Sequence, residues 1–254
     1  MVSRSAEQHV SFALLRAAWN TLTFVHWRVP PGRIQALLPH GLTVDVYDGD
    51  AWVGLTPFVM ANMRPLGLPD LPGDLSVIPG VTRLPRLADV SSTPETNLRT
   101  YVRGPDGRDG LWFLSLDIGS AALAAAIRAA VGAPYHAARM TVEQHGGTVT
   151  YTGSRGRSGP RYRLRVHPGE QRTPSDFDIW LTGRWRAYTT HLGRLLVTPV
   201  EHEPWPLRQA SLEVLEQDLT DAVGLDGLAE PPLVHFSDGV RDVRLGRPAV
   251  LLSR

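Results

Sequence analysis

The chain has 254 residues, a formal net charge of +1 and a hydrophobic content of 43%, the make-up of a folded globular protein rather than a disordered one. Its 26 basic side chains are all Arg, and it contains no Cys. No side chain can therefore form a Schiff base, anchor pyridoxal phosphate or complete a Walker A loop, and thiol nucleophiles, disulfides and thiolate metal sites are absent as well.

Residues 10–19 are apolar but interrupted by Arg16 and too short to span a bilayer; with no targeting signal visible, a cytoplasmic protein is expected. Residues 21–29 alternate aromatic and β-branched side chains and read as a strand, followed by a short helix over 31–38 that Pro39 stops. Residues 42–47 and 51–60 read as strands joined by an Asp48-Gly49 turn. The Pro/Gly-rich stretch 65–85 reads as a loop of the kind that forms a lid or pocket rim.

Residues 95–103 and 111–117 make the clearest hairpin. Ser120 then caps a helix over residues 121–131, which Gly132 and Pro134 end and in which Leu123, Ile127 and Val131 form an apolar stripe. Further strands are expected at 139–144, 148–152, 161–166, 193–199 and 233–236, with a final helix over 212–223. Arg155, Arg157, Arg161, Arg163 and Arg165, set among Gly153, Ser154, Gly156 and Gly159, read as a solvated hairpin rather than a nucleic-acid stripe.

No repeat or linker divides the chain, so residues 1–254 read as a single domain. The many short strands, linked mostly as hairpins, predict a mainly β fold with a few helices: an antiparallel barrel or sandwich. A doubly wound α/β sheet is disfavoured, because helices do not alternate with strands and no Gly-rich dinucleotide fingerprint follows a strand.

The chain has no HExxH, no GxSxG and no Asp-rich calcium loop. Glu201-His202-Glu203 lies in an extended stretch where His202 points away from both carboxylates, so no metal is expected. Two constellations carry chemistry. Period two puts Glu95, Asn97, Arg99 and Tyr101 on one strand face, which is either an ordinary outer face or an inward one. Inward, Glu95 is an acid/base group and Arg99 an anion or carbonyl clamp. The second is Tyr135-His136 after the Ala-rich helix: a phenolic donor beside a titratable imidazole, or a core-edge aromatic beside a surface His.

Several segments together resemble the domain-of-unknown-function 2071 (YqjF-like) family of the acetoacetate decarboxylase-like superfamily. They are residues 95–102, 110–117 and 133–137, with Phe24-Val25-His26-Trp27-Arg28-Val29-Pro30, the stretches 38–39 and 48–54, His202-Glu203-Pro204-Trp205-Pro206-Leu207 and Val234-His235-Phe236-Ser237. Coverage runs from about Trp19 to Val243. The resemblance implies a curved antiparallel sheet closing into a cone-like barrel around a small-molecule cavity, with Glu95 facing that cavity.

Enzymes of the superfamily use a Lys in a Gly-hydrophobic-Pro-Lys context, whereas here Gly132-Ala133-Pro134 is followed by Tyr135. A phenol cannot form the imine, so acid/base work on a small carbonyl or keto/enol substrate is what remains: enolisation, cyclisation, dehydration or hydrolysis. Gly183 also departs from the acidic residue the family usually places before the Arg matched by Arg184, which leaves Arg184 either to hold a ligand anion or to lie at the surface.

The expected site is Glu95, Tyr135 and His136 for proton transfer, with Arg99, Asn97, Tyr101, His26, Trp27 and Arg184 around the substrate. Trp27, Trp52, Trp112 and Trp205 suggest an aromatic-walled cavity. The expected partner is a small molecule, with no cofactor, no metal, no nucleic acid and no membrane; a homo-oligomer is left open. A non-catalytic carrier using the same cavity is the competing expectation.

Overall fold

The computed structural model describes residues 2–65, 92–228 and 230–251. The expected lid at 65–85 lies, beyond Pro65, outside the described residues. In chain order the first half comprises β1 (Leu15–Val29), α1 (Pro31–Gln35), β2 (Thr43–Val44), β3 (Ala51–Pro65), β4 (Ser92–Arg103), β5 (Asp109–Ile118) and α2 (Ala121–Val131). The second half comprises β6 (Tyr135–Ala137), β7 (Arg139–His145), β8 (Thr148–Ser154), β9 (Arg161–Gln171), α3 (Asp176–Thr182), β10 (Arg186–His191), β11 (Arg194–Glu201), β12 (Leu207–Gln217), β13 (Leu233–Leu245) and β14 (Ala249–Val250).

Helix α2 follows its sequence signals: Ser120 Oγ accepts from the Leu123 N–H, and Gly132 ends the helix at φ 70, a left-handed position that suits Gly. Several segments differ from the sequence reading. Helix α1 stops at Gln35, and β2 spans two residues, with Tyr47 and Asp50 bridging across the Asp48-Gly49 turn. Residues 212–217 belong to strand β12, not to a helix, and only Asp221–Val223 forms a turn of 3-10 helix. Leu, Glu and Gln favour a helix locally, but pairing with β9 from Arg208 to Gln217 and with β13 from Leu207 to Gln209 outweighs that preference. Alternating exposure of Gln209, Ser211 and Glu213 fits the strand.

The strands form one sheet, antiparallel except where β5 pairs with β10 and β6. Strands β13, β1, β3, β4, β5, β10 and β11 pair in turn, and the β11–β13 contact at Val200↔Leu245 and Glu201↔Arg244 closes them into a ring. Beyond β13 the sheet continues as a wing, β12-β9-β8-β7, which folds back over the outer face of β1, β3 and β4. A bulge in β1 between Asn20 and Val25, with Thr21 at φ 51, bends that strand.

Two cores result. Val25, Trp27, Val53, Leu55 and Leu98 meet Tyr151, Leu164 and Val166 between ring and wing. Inside the ring, Leu22, Phe24, Phe58, Val200 and Trp205 pack together. The wing also buries one member of the Arg-rich hairpin: Arg155 Nε lies 2.6 Å from Asp117 Oδ1 and its guanidinium bonds Ser115, while Arg161 and Arg163 stay exposed.

Helix α3, absent from the sequence reading, is started by a capping box between Ser175 and Asp178. Its Trp180 and Leu181 pack on Trp52, Tyr101 and Leu111, covering one end of the ring. Arg184 locks it there: Nε donates to the Trp180 carbonyl (2.9 Å), Nη1 meets Asp45 (2.8 Å) and Asp109 (3.2 Å), and the guanidinium lies over the Trp180 and Tyr101 rings. Arg184→Met removes the buried cation that the two carboxylates share, although Asp45 keeps Arg103 at 2.9 Å and Asp109 keeps Arg186 at 3.6 Å. It should lower unfolding free energy in urea by about 2–4 kcal/mol, whereas Arg165→Met, which breaks an exposed pair with Glu213, should cost under about 1 kcal/mol.

Candidate functional site

Strand β4 is buried on both faces. Thr96 and Leu98 point to the wing, Thr96 Oγ1 lying 2.6 Å from the Tyr162 hydroxyl. By period two, Glu95, Asn97, Arg99 and Tyr101 point into the ring. Across β3 their register partners are Phe58 for Glu95, Thr56 for Asn97 and Gly54 for Arg99. Gly54 is opposite His26 on β1, and a Cβ there would sit 3.0 Å from the imidazole, a contact that would crowd that ring.

Strand β6 carries Tyr135 beside Leu116 of β5 and aims its hydroxyl at Glu95. The phenol donates to Glu95 Oε1 at 3.0 Å, while Oε2 is buried without a partner. Burial pushes the Glu95 carboxyl up to about 8, against the opposing hydrogen bond from Tyr135. Burial first, then the Glu95 charge, drives Tyr135 well above its usual value. At neutral pH both groups hold their protons.

Arg99 lies with its guanidinium 5.3 Å from the Phe24 ring centre. Burial lowers its pKa, Tyr101 opposes the shift, and an Arg stays charged in a protein all the same. Among the described residues no carboxylate lies within ion-pair distance of it, and its Nε has no partner; nor has the neighbouring Asn97 Oδ1. Asn97 and Arg99 keep 8% and 7% exposure where Tyr101 has none, so the packing against them is incomplete.

The imidazoles around Arg99 add no charge. The Tyr101 hydroxyl sits 2.8 Å from both the Leu181 carbonyl and His26 Nε2. The carbonyl can only accept, so it takes the hydroxyl proton, and Nε2–H of His26 donates to the phenol oxygen. His26 Nδ1 is then a bare acceptor inside the ring, where it has no partner. Burial, then Arg99 and His235, hold His26 well below its usual pKa. His202, caged by Trp19, Trp185 and Trp205, donates Nδ1–H to the Glu203 carbonyl (2.6 Å) and is lowered to about 4, chiefly by burial. Arg184 has its two Asp partners, so Arg99 is the uncompensated charge of this set.

The structure thus brings Glu95, Tyr135, Asn97, Arg99, Tyr101 and His26 to the ring interior. Three residues expected with them are elsewhere. His136 follows Tyr135 on a strand and so faces away, toward Arg155 and Arg128. Trp27, next to His26, is on the opposite face in the ring–wing core. Arg184 is held by Asp45 and Asp109, and Gly183 carries no side chain because a Cβ would meet the Ile179 and Ser3 carbonyls at 2.9 Å. Of the four Trp expected around a cavity, Trp205 lies in the interior cluster; Trp52 packs under α3 and Trp112 beside Tyr188.

Sequence reasoning missed a buried pair, His235 Nε2 and Asp178 Oδ1, 3.0 Å apart. The Ser175-x-x-Asp178 spacing was a visible helix-start signal, whereas nothing local distinguishes a single His in an apolar strand from a core residue. Among the described residues no group of three or more His, Asp or Glu is placed to hold a metal ion, and no helix is long and apolar enough to cross a membrane. A surface cleft of about 280 Å³, lined by Trp112, Phe113, Pro134 and Thr189, adjoins Tyr135 through Pro134; a larger one of about 520 Å³ lies on the wing around Arg161 and Glu216.

Comparison with known proteins bears on the whole chain. The model of the DUF2071 family, described as an uncharacterized conserved protein, matches residues 16–241. The chain is 31% identical over 246 residues to the uncharacterized protein YqjF of Bacillus subtilis, covering 93% of this chain and 94% of that protein. Its fold is similar to an acetoacetate decarboxylase-like enzyme from Sphingomonas wittichii RW1, with TM-score 0.63, 17% identity and 96% of each chain covered. It is also similar to the enduracididine biosynthesis enzyme MppR complexed with pyruvate, with TM-score 0.60, 14% identity and coverage of 97% and 94%. At such identities these structures speak for the fold alone, which is acetoacetate decarboxylase-like. Matched over residues 16–241 by the family model and over 93% of its length by a relative above 30% identity, the chain belongs to the DUF2071 family.

Proposed function

We propose that the protein is a small-molecule enzyme that works by acid/base chemistry on a small carbonyl compound bearing a negative charge, without a Schiff base. The observation that carries this reading is a carboxyl that keeps its proton, Glu95, enclosed with an unpaired guanidinium, Arg99. An uncompensated buried cation favours an anion beside it, such as a substrate carboxylate or a developing enolate. Glu95, with Oε1 accepting from Tyr135, turns a protonated Oε2 toward the interior as donor to a carbonyl oxygen. Tyr135 stands where the superfamily's amine stands and holds Glu95 in place. The cleft at Phe113, Pro134 and Thr189 is the approach on this reading.

The superfamily neighbour bound to pyruvate makes pyruvate the natural first probe, since it combines a carboxylate, a ketone and exchangeable α-hydrogens. Deuterium exchange at its methyl group, followed by NMR, should be catalysed by the wild type. Glu95→Gln should slow exchange roughly 10²- to 10⁴-fold with little change in pyruvate affinity. A carrier, favoured by the enclosure of the polar set, would instead bind without exchange, and Glu95→Gln would alter nothing but fit. Borohydride added with pyruvate should leave no covalent adduct on any side chain, as mass spectrometry can establish once the α-amino group is excluded; an adduct on an internal residue would overturn the acid/base chemistry.

The Glu95 carboxyl also sets a pH dependence. Unfolded, a Glu titrates near 4.3; folded, this one titrates at about 8. Between those values the folded state binds the extra proton, so stability falls as pH rises through the window, by up to roughly 1.4 kcal/mol per pH unit from this group. Glu95→Gln, which keeps an acceptor for Tyr135 and never ionises, should remove that fall. Urea unfolding at pH 5 and pH 8 measures it, and an equal pH slope in both proteins would contradict the protonated state.

A further inference from the structure

Proton abstraction requires a base, and neither group expected to serve does so: Glu95 holds its proton at neutral pH and His136 faces away from the ring interior. Two other imidazoles do face inward. His26 is on β1, and His235 lies on β13 directly opposite Phe24, whose ring carries the Arg99 guanidinium. Both His are fully buried, and Nδ1 of each lacks a partner.

The second nitrogen separates them. His26 Nε2 meets a neutral phenol and has Arg99 for a neighbour, so a proton on Nδ1 is opposed. His235 Nε2 is 3.0 Å from Asp178 Oδ1. Arg172 Nη1, which can only donate, is farther from the same nitrogen at 3.4 Å, so the nearer carboxylate favours the Nε2–H tautomer, leaves Nδ1 as a lone pair, and stabilises the imidazolium formed when Nδ1 accepts a proton. Asp178 is itself immobilised: Oδ2 accepts from Ser175 N–H and Ser175 Oγ, both at 2.8 Å, and forms an ion pair with Arg172 Nη2 at 2.9 Å. The ionisable groups facing His235 are therefore Asp178 on α3, Arg172 just after β9 and His26 on β1. Burial lowers the His235 pKa, Asp178 raises it and Arg172 lowers it, and the net shift is downward, which leaves the ring neutral at pH 7.

Placement fits a two-sided reaction. From β13 to β4 the ring runs three steps through β1 and β3, or four through β11, β10 and β5, so His235 and Glu95 stand on opposing walls. We propose that His235, oriented by Asp178, is the general base of this site, taking the α-proton of the carbonyl substrate through Nδ1 while Glu95 protonates the carbonyl oxygen from across the ring. The C–H electron pair becomes the C=C bond of the enol, and the carbonyl π pair takes up the Glu95 proton as O–H. His235 ends as imidazolium and Glu95 as carboxylate; in D₂O the proton on Nδ1 exchanges for deuterium, and the reverse transfers then restore both groups and place that deuterium on the substrate carbon. The inference rests on the acid/base reading above.

His235→Gln is the test, because its amide N–H can still donate to Asp178 and keep α3 anchored while the basic lone pair is lost. Pyruvate deuterium exchange should fall at least 100-fold, with pyruvate affinity within about threefold of wild type and melting temperature little changed. A merely structural contact would instead lose stability and affinity together. Independently of activity, ¹⁵N NMR of the histidines should find His235 protonated on Nε2 and bare on Nδ1. Exchange within threefold of wild type in His235→Gln, or a proton on Nδ1, overturns the base assignment and leaves the Glu95–Arg99 reading intact. Wild-type protein that binds pyruvate through Arg99 without exchanging it likewise overturns the base. If Arg99→Gln leaves pyruvate binding unchanged, the acid/base reading itself falls, and the base falls with it.

Discussion

Strand β4 has no solvent face. The wing covers one side and the ring encloses the other, so every inward residue from Glu95 to Tyr101 leaves water whether polar or not. That constraint determines the chemistry of the interior. A carboxyl there keeps its proton unless a cation lies against it, and the phenol of Tyr135 that reaches Glu95 supplies a hydrogen bond but no charge. The guanidinium of Arg99 cannot neutralise itself and remains as a fixed positive charge. The interior therefore combines a proton donor with an anion-attracting group, and both properties trace back to a sheet that closes and then folds over itself.

The same enclosure sorts the three imidazoles. Burial lowers all of them, and they differ in what holds the second nitrogen: a phenol for His26, a backbone carbonyl for His202 and a carboxylate for His235. The Glu203 carbonyl favours the charged ring without overcoming burial, and the carboxylate beside His235 is the one of the three that carries the opposite charge. With no Lys in the sequence, a side-chain imine is closed to this chain, and on the reading proposed above the polar groups inside divide into a donor on β4 and an acceptor on β13.

Helix α3 connects these parts. It closes one end of the ring, supplies Asp178 to His235, presents the Leu181 carbonyl that fixes the Tyr101 hydroxyl, and is anchored by Arg184. The departure at Gly183 is explained by the same packing. No side chain fits between the Ile179 and Ser3 carbonyls, and the acidic partners of Arg184 come from Asp45 and Asp109, remote in sequence.

Local signals in the sequence determined much of this protein. The Ser120 and Gly132 caps delimit α2, period two assigns Glu95, Asn97, Arg99 and Tyr101 to one face, and the lack of Lys removes imine chemistry before any fold is known. Family motifs spread along the chain indicated the fold. Local signals misled where long-range pairing outweighs propensity, as in β12, whose Leu-, Glu- and Gln-rich sequence favours a helix until β9 and β13 pair with it. Adjacent positions were also misjudged: Trp27 and His136 sit beside inward residues, and a strand must send neighbours to opposite faces. The family resemblance already implied that Glu95 faces inward, whereas the pairing of Arg184 with Asp45 and Asp109 and the meeting of His235 with Asp178 are decided only by tertiary structure. Each depends on residues tens of positions apart being brought together by ring closure, and no local pattern encodes that distance.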